Sequence, residues 1–128
     1  MTDAPPPTLI VVVEDDEPSR VAMSRLLRAC GFEPALFDCA EAYIAAPPSM
    51  QPLCLILDVG LGGMSGIDLQ HRLRAAGCAL PIIVTTGQRD ERLRDRARRI
   101  GCSAFLWKPF DAEALLTAIE SIAGESSH

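Results

Sequence analysis

The sequence predicts an α/β fold in which a doubly wound, five-stranded parallel sheet is covered by helices on both faces. Five apolar runs alternate with five stretches of helical periodicity along the 128 residues. The run LCLIL is continuously apolar, which is typical of a strand buried on both faces of a covered parallel sheet. The connections are short, and right-handed crossovers place the helices on the two faces of such a sheet.

The first strand and the first helix carry start and stop signals. The strand covers residues 9–13, and the predicted helix covers residues 18–29. Pro18 suits the first turn of a helix, and Gly31 follows the helix end. Apolar residues recur within this helix at the period of a face that packs on a sheet. They are Ala22, Met23, Leu26, Leu27 and Cys30.

The later elements repeat this order. The other predicted strands cover residues 35–37, 53–57, 82–84 and 105–107, and the other predicted helices cover residues 40–46, 67–75, 92–99 and 112–122. Asp38, Ser65 and Asp111 stand where helix N-caps are expected, and Gly77 and Gly101 follow helix ends. This alternation is that of five βα units.

Composition predicts one acidic domain. With 48% hydrophobic residues, a chain of this length suits a single domain with one core. We expect that domain at residues 8–122, between a disordered tail at 1–7 and a C-terminal tail at 123–128. The net charge of −5 argues against direct binding of nucleic acid, because neutralising phosphates requires a basic face.

Other features exclude further classes of protein. The five cysteines show no CxxC spacing, so neither a zinc site nor a disulfide framework is indicated. No segment approaches the length of a membrane span, and the opening MTDAPPP differs from a signal peptide. We therefore expect a cytoplasmic protein without a membrane partner.

Acidic side chains follow two strands that we expect to be neighbours. Asp58 comes directly after the buried run, and four acids from Glu14 to Glu17 follow the first strand. The carboxyl ends of parallel strands form the edge where open α/β sheets bind ligands. Clustered carboxylates repel one another unless a cation neutralises them, and Mg²⁺ prefers hard oxygen ligands. The alternatives are that Asp58 begins a turn and that the acidic run is a solvated helix N-terminus.

The fourth and fifth strands end in a hydroxyl and in a lysine. Strand alternation points Thr85 and Thr86 to opposite faces, and Thr86, at the mouth of the strand, is the better site candidate, although threonine also simply favours strands. Lys108 is the only lysine among twelve basic residues. A compact ammonium here suggests a tight contact with phosphate or carboxylate, and a chance surface lysine is the alternative. Pro109 restricts Lys108 to extended backbone and allows a cis bond.

Together these motifs resemble the receiver domains of response regulators. The acidic pair, DVGLGGMSG, TTG and KPF occur in the order and spacing of that family, across residues 8 to 122. The stretches EDDEPSR and MSGIDLQ are most similar to receivers that precede LuxR-type output domains. The resemblance implies a flavodoxin-like (βα)5 three-layer sandwich with strand order 2-1-3-4-5. It also implies bacterial two-component signal transduction, by a stand-alone receiver or by the receiver of a longer regulator.

The resemblance further implies a phosphoacceptor and a metal site. Asp58 would accept a phosphoryl group from a histidine kinase, a phosphotransfer protein or a small phosphodonor, in a reaction that depends on Mg²⁺. Glu14, Asp15, Asp58 and the backbone carbonyl of Gly60 would hold the ion. Such a protein is a signalling phosphoacceptor, and it catalyses only its own phosphorylation and dephosphorylation.

A switch is implied as well. Thr86 and Lys108 would contact the phosphoryl oxygens, and the rotamer of Phe105 would report the phosphorylated state. The change would reach the surface made by the fourth helix, the fifth strand and the fifth helix. That surface would then bind a partner or form a homodimer.

Two other function classes are open to comparison. A phosphatase of the haloacid dehalogenase kind would need a second carboxylate two residues after its nucleophile, where this chain has Gly60. A receiver-like interaction module that works without phosphorylation would be expected to have lost the acceptor, an acidic residue or the lysine. All of these are present, which favours the phosphoacceptor.

The predicted fourth helix is unusually basic. Its five arginines are Arg92, Arg94, Arg96, Arg98 and Arg99. The acidic residues Asp90, Glu91 and Asp95 partly offset their charge. Such a run is usually a solvated face. The functional alternative is a docking surface for an acidic partner or a second receiver, through charge complementarity.

Overall fold

The computed structural model describes residues 8–47 and 50–126, so the predicted tail at 1–7 lies outside the described residues. Strands and helices alternate throughout. The strands are β1 (Thr8–Val13), β2 (Phe32–Phe37), β3 (Cys54–Asp58), β4 (Ile82–Thr86) and β5 (Ala104–Trp107). The helices are α1 (Glu17–Ala29), α2 (Ala40–Ile44), α3 (Gly66–Ala75), α4 (Glu91–Ile100) and α5 (Ala112–Ser126).

The strands form one parallel sheet in the order β2-β1-β3-β4-β5, which confirms the predicted fold class. All five residues of the central strand β3 are buried. Strand alternation divides the core into two layers. Leu55 and Leu57 face a layer shared with α2, α3 and α4, whereas Cys54 and Ile56 face a layer shared with α1 and α5. The sheet is therefore covered on both sides.

Two of the three predicted helix N-caps are confirmed, and α1 and α4 have the N-caps Asp16 and Asp90, which were not predicted. Ser65 and Asp68 form a capping box at the start of α3, and Asp111 accepts a hydrogen bond from the Ala114 N–H at 2.8 Å. The prediction for Asp38 was wrong. The helix α2 begins at Ala40, so its N-cap is Cys39. The Cys39 Sγ accepts a hydrogen bond from the Ala42 backbone N–H.

The observed bounds lie within two residues of the predicted ones except in β2 and α5, which are longer; α2 ends at Ile44, two residues before its predicted end. The strand β2 begins at Phe32 because it pairs with β1 over six residues, and Pro34 is tolerated because β2 is an edge strand. The helix α5 continues past the predicted end at Ile122 to Ser126, so residues 123–126 of the predicted C-terminal tail are helical. Within the described residues, no helix combines the length and the apolar character needed to cross a bilayer.

Candidate functional site

Asp58 lies at the carboxyl end of the central strand β3. Only 6% of its surface is exposed. The parallel register pairs Val13, the last residue of β1, with Leu57 of β3. Glu14, which follows Val13, therefore lies beside Asp58, which follows Leu57. Glu14 is 5% exposed. Two carboxylates are thus held side by side in a largely buried place.

Lys108 supplies a cation to these two carboxylates. It follows β5 directly, and its backbone N–H donates to the Thr86 carbonyl at 2.7 Å. Its Nζ lies 2.9 Å from Asp58 Oδ1 and also donates to Glu14 Oε1. The Lys108–Pro109 peptide bond is cis. The structure therefore brings the ends of three strands together around one ammonium.

Burial and charge pairing act against each other at this site. Burial raises the pKa of Glu14, the hydrogen bond from Lys108 opposes that rise, and the charge of Asp58 adds to it. Burial lowers the pKa of Lys108, but its hydrogen bonds to Glu14 and Asp58 and the charges of both outweigh burial, so this pKa is raised. The ammonium is therefore charged throughout the neutral range.

Replacing Lys108 with methionine is expected to raise the pKa of Glu14 further. It should lower the free energy of unfolding by about 2 kcal/mol near neutral pH, the size expected for hydrogen bonds between charged, partly buried groups. Two buried carboxylates would then lack their shared counter-charge. Since a raised pKa in the folded state penalises ionised Glu14, the loss should shrink as the pH falls through that pKa and Glu14 takes up a proton.

Urea unfolding at about pH 7 and about pH 5 measures this effect. The control is Arg25→Met, which removes an exposed cation on α1. An equal loss for Lys108→Met at both pH values would contradict the assignment of Lys108 as the counter-charge.

Asp15 extends the acidic group towards solvent. One carboxylate oxygen from each of Glu14, Asp15 and Asp58 lies within 4.8 Å of the others, and Asp15 is exposed. With Lys108 alongside, the three carboxylates keep an excess of two negative charges, which one divalent cation would balance. Hard oxygen ligands with an open side for water suit Mg²⁺. The residues present therefore fit a magnesium ion.

Gly60 leaves the approach to Asp58 clear. It is exposed, and a Cβ placed on it would lie 3.3 Å from Asp58 Oδ2. Any side chain at this position would therefore crowd the carboxylate. The use of the Gly60 carbonyl as a metal ligand stays a prediction.

Two residues that the sequence analysis missed hold the backbone of this site. The Arg20 guanidinium donates to the carbonyls of Glu14 and Asp15 at 2.9 and 3.4 Å, which fixes the turn after β1. Gly66 is the first residue of α3, and a Cβ there would lie 2.2 Å from the Asp58 carbonyl oxygen. A glycine directly after the N-cap was the available signal for Gly66, whereas nothing in the sequence singles out Arg20.

Strand register separates the two threonines of β4. Asp58 pairs with Thr85, so these two side chains share a face of the sheet, whereas Thr86 pairs with Trp107 on the opposite face. The Thr86 hydroxyl accepts a hydrogen bond from the Gln88 N–H at 3.0 Å. A contact between Thr86 and a group on Asp58 requires this hydroxyl to turn across the strand end, and it stays a prediction.

An aromatic pair lies on β5 beside Thr86. The rings of Phe105 and Trp107 meet edge to face with centroids 4.9 Å apart. The Arg89 guanidinium lies 5.5 Å from the centroid of the Trp107 ring, in a cation–π arrangement. Phe105 also packs against the core layer of α2, α3 and α4. The pair therefore links the end of β4 to the surface around α4.

Known proteins are similar to this chain in sequence. The family profile of the response regulator receiver domain matches residues 10–120. The transcriptional regulatory protein FixJ of Bradyrhizobium diazoefficiens is 38% identical over 112 residues, which make up 88% of this chain and 55% of FixJ. Nodulation protein W of the same organism is 36% identical over 118 residues, or 92% of this chain and 52% of that protein. The chain spans about half the length of these relatives.

Solved structures show the same likeness in three dimensions. Full-length FixJ from B. japonicum has a TM-score of 0.85 at 36% identity, over 92% of this chain and 58% of that chain. The structure of FixJ-N has a TM-score of 0.84 at 30% identity, over 97% of this chain and 96% of that chain. With the fold, the profile and these relatives in agreement, the chain belongs to the family of response regulator receiver domains.

Proposed function

We propose that this chain is a two-component signalling receiver in which Asp58 accepts a phosphoryl group in a Mg²⁺-dependent reaction. One observation carries the proposal. The buried Asp58 carboxylate is contacted by Lys108 at 2.9 Å and lies within an acidic group that fits a divalent ion. Phosphoryl transfer needs positioning and charge neutralisation more than covalent assistance; the held carboxylate would supply the first, and Lys108 together with a bound ion would supply the second.

In the proposed step, an Asp58 carboxylate oxygen attacks the phosphorus of a phosphohistidine on a histidine kinase or a phosphotransfer protein. A P–O bond forms, the P–N bond of the donor breaks, and its electron pair returns to the imidazole. Lys108 holds Asp58 Oδ1, while Oδ2 faces the side-chain-free Gly60. The carboxylate is thus oriented before the donor arrives.

Glu14, Asp15, Asp58 and the Gly60 carbonyl are the proposed holders of Mg²⁺. When bound, the ion neutralises charge and orients the phosphoryl oxygens. The chain's own contribution is to keep the ligands close, since Arg20 fixes the carbonyls after β1. An incoming phosphate would otherwise meet three carboxylates and a single ammonium, which is why we expect strict dependence on the ion.

The switch is proposed to run from Asp58 through Thr86 to the surface of α4, β5 and α5. New negative charge on Asp58 would attract the Thr86 hydroxyl and the Lys108 ammonium. The Thr86 hydroxyl would then release the Gln88 N–H, at the entrance to α4. Phe105 is the proposed reporter, and the changed surface would bind a partner or a second copy.

We also infer a cytoplasmic location.

Beryllofluoride with Mg²⁺ tests this proposal through Trp107, the single tryptophan of the chain. Because Trp107 pairs with Thr86 in the sheet, its fluorescence is expected to change when both reagents are present and to stay constant with either alone. The variant Trp107→Phe should lose the signal. The molecular mass of the chain in solution, measured with and without the reagents, shows whether a dimer forms. If neither the fluorescence nor this mass changes, an interaction module that works without phosphorylation is favoured.

A further inference from the structure

A basic groove lies between α3 and α4. Its volume is about 630 Å³, and no carboxylate lines it. The lining residues are His71, Arg74, Ala75, Arg96, Arg99 and Ile100. Positive charge gathered here stands out in a chain whose net charge is −5.

The arginines of α4 are not equally neutralised. At the N-terminal end, Arg92 pairs with Asp90 at 3.1 Å, and Arg94 pairs with Glu91. One turn before the C-terminal end, Arg96 has only a long, exposed contact of 3.5 Å with Asp68. Within residues 8–47 and 50–126, no ion pair to Arg99 is formed. Arg98 is likewise without an ion pair among these residues, but it does not line the groove. Of the three α4 arginines with weak or no pairing, Arg96 and Arg99 therefore lie at the groove.

Hydrogen bonds from side chains of α3 hold α3 to α4 and so fix the two walls of the groove. The Gln70 side-chain amide donates to the Ala97 carbonyl of α4 at 2.9 Å. Arg74 donates to the carbonyls of Cys78, Leu80 and Gly101 at 2.9, 2.8 and 3.1 Å. The spacing between α3 and the end of α4 is thus set before any ligand arrives, and pre-set charges lose little freedom on binding.

We propose that this groove binds a short acidic segment of a partner protein. Arg96 and Arg99 are three residues apart on α4, so they can meet carboxylates that are one helical turn apart. Arginine forks match carboxylate geometry. Ala75 and Ile100 offer an apolar place for one side chain of the same segment.

Nucleic acid fits this groove less well than an acidic peptide does. Both helices have ten residues, so each is about 15 Å long. That length is short for a stripe that tracks several phosphates, and the net negative charge of the chain opposes a long polyanion more than it opposes a short acidic segment. The proposal is independent of phosphorylation at Asp58, since it concerns the unmodified chain.

Fluorescence anisotropy with a labelled helical peptide tests the proposal. The peptide carries one leucine and three glutamates, with successive glutamates separated by three and by four residues. The comparison probes are the same peptide with glutamine in place of each glutamate, and an oligothymidylate. The double variant Arg96→Ala/Arg99→Ala is compared with Arg25→Ala/Arg28→Ala. The control removes the same charge from exposed positions on α1, which packs on the other face of the sheet.

We expect the glutamate peptide to bind and the glutamine peptide not to bind. The groove variant should bind roughly fivefold more weakly, as expected for the loss of two exposed ion pairs, while the α1 variant should bind like the parent chain. Equal losses in the two variants would overturn the proposal, because long-range charge alone would then explain binding. Absence of binding, or tighter binding of oligothymidylate, would overturn it too.

Discussion

The Asp58→Asn variant is expected to take up no phosphoryl group from acetyl phosphate and Mg²⁺ under conditions in which the parent chain does. The asparagine amide has nearly the same shape as the carboxylate, but it lacks the negative oxygen that attacks phosphorus. The fold should persist, because Lys108 keeps Glu14 as its partner. Intact-protein mass spectrometry measures the gain of one phosphoryl group directly.

Asp95→Asn is the matched control for this loss. Asp95 is exposed on α4 and lies outside the acidic group at the sheet edge. The two variants remove the same charge, so a general effect of charge would appear in both. Uptake by Asp58→Asn equal to that of Asp95→Asn would place the acceptor elsewhere.

The Gly66→Ala variant is expected to lower the free energy of unfolding by about 3 kcal/mol, at the upper end for overpacking. The added Cβ would lie 2.2 Å from the Asp58 carbonyl oxygen and 2.7 Å from its carbonyl carbon. Backbone atoms cannot turn aside as a flexible side chain does, so α3 or the end of β3 must move. Urea unfolding measures the loss, and phosphoryl uptake should fall with it because Asp58 is displaced.

Gly62→Ala isolates the effect of this contact from the general effect of adding a methyl group. A Cβ at Gly62 would have no atom within 4 Å. Its expected change in unfolding free energy is within about 0.5 kcal/mol. Similar losses at Gly62 and Gly66 would show that the close approach of α3 to Asp58 is not what requires glycine.

The sequence was sufficient for the sheet and for the residues at its edge. The apolar run before Asp58 identifies β3 as a buried central strand, and strand ends must then converge at one edge. Lys108 could be singled out because the chain otherwise uses arginine. These inferences depend on chain order and residue type, which are visible in the sequence.

Contacts that depend on how elements pack could not be read from the sequence. The requirement for glycine at position 66 depends on the distance between α3 and the backbone of β3. The face of Thr86 depends on the register between β3 and β4, which a shift of one residue would reverse. The uncompensated charge of Arg99 appears only when the ion pairs of its neighbours are known.

Reductive trapping of the acyl phosphate tests the central claim most directly. The chain is treated with acetyl phosphate and Mg²⁺ and then with borohydride, which converts a phosphorylated aspartate into homoserine, and the modified position is located by peptide mass spectrometry. We predict homoserine at position 58 only, and only in samples that contained Mg²⁺. Conversion at Asp15 with Asp58 intact, or no conversion anywhere in the folded chain, would contradict the account.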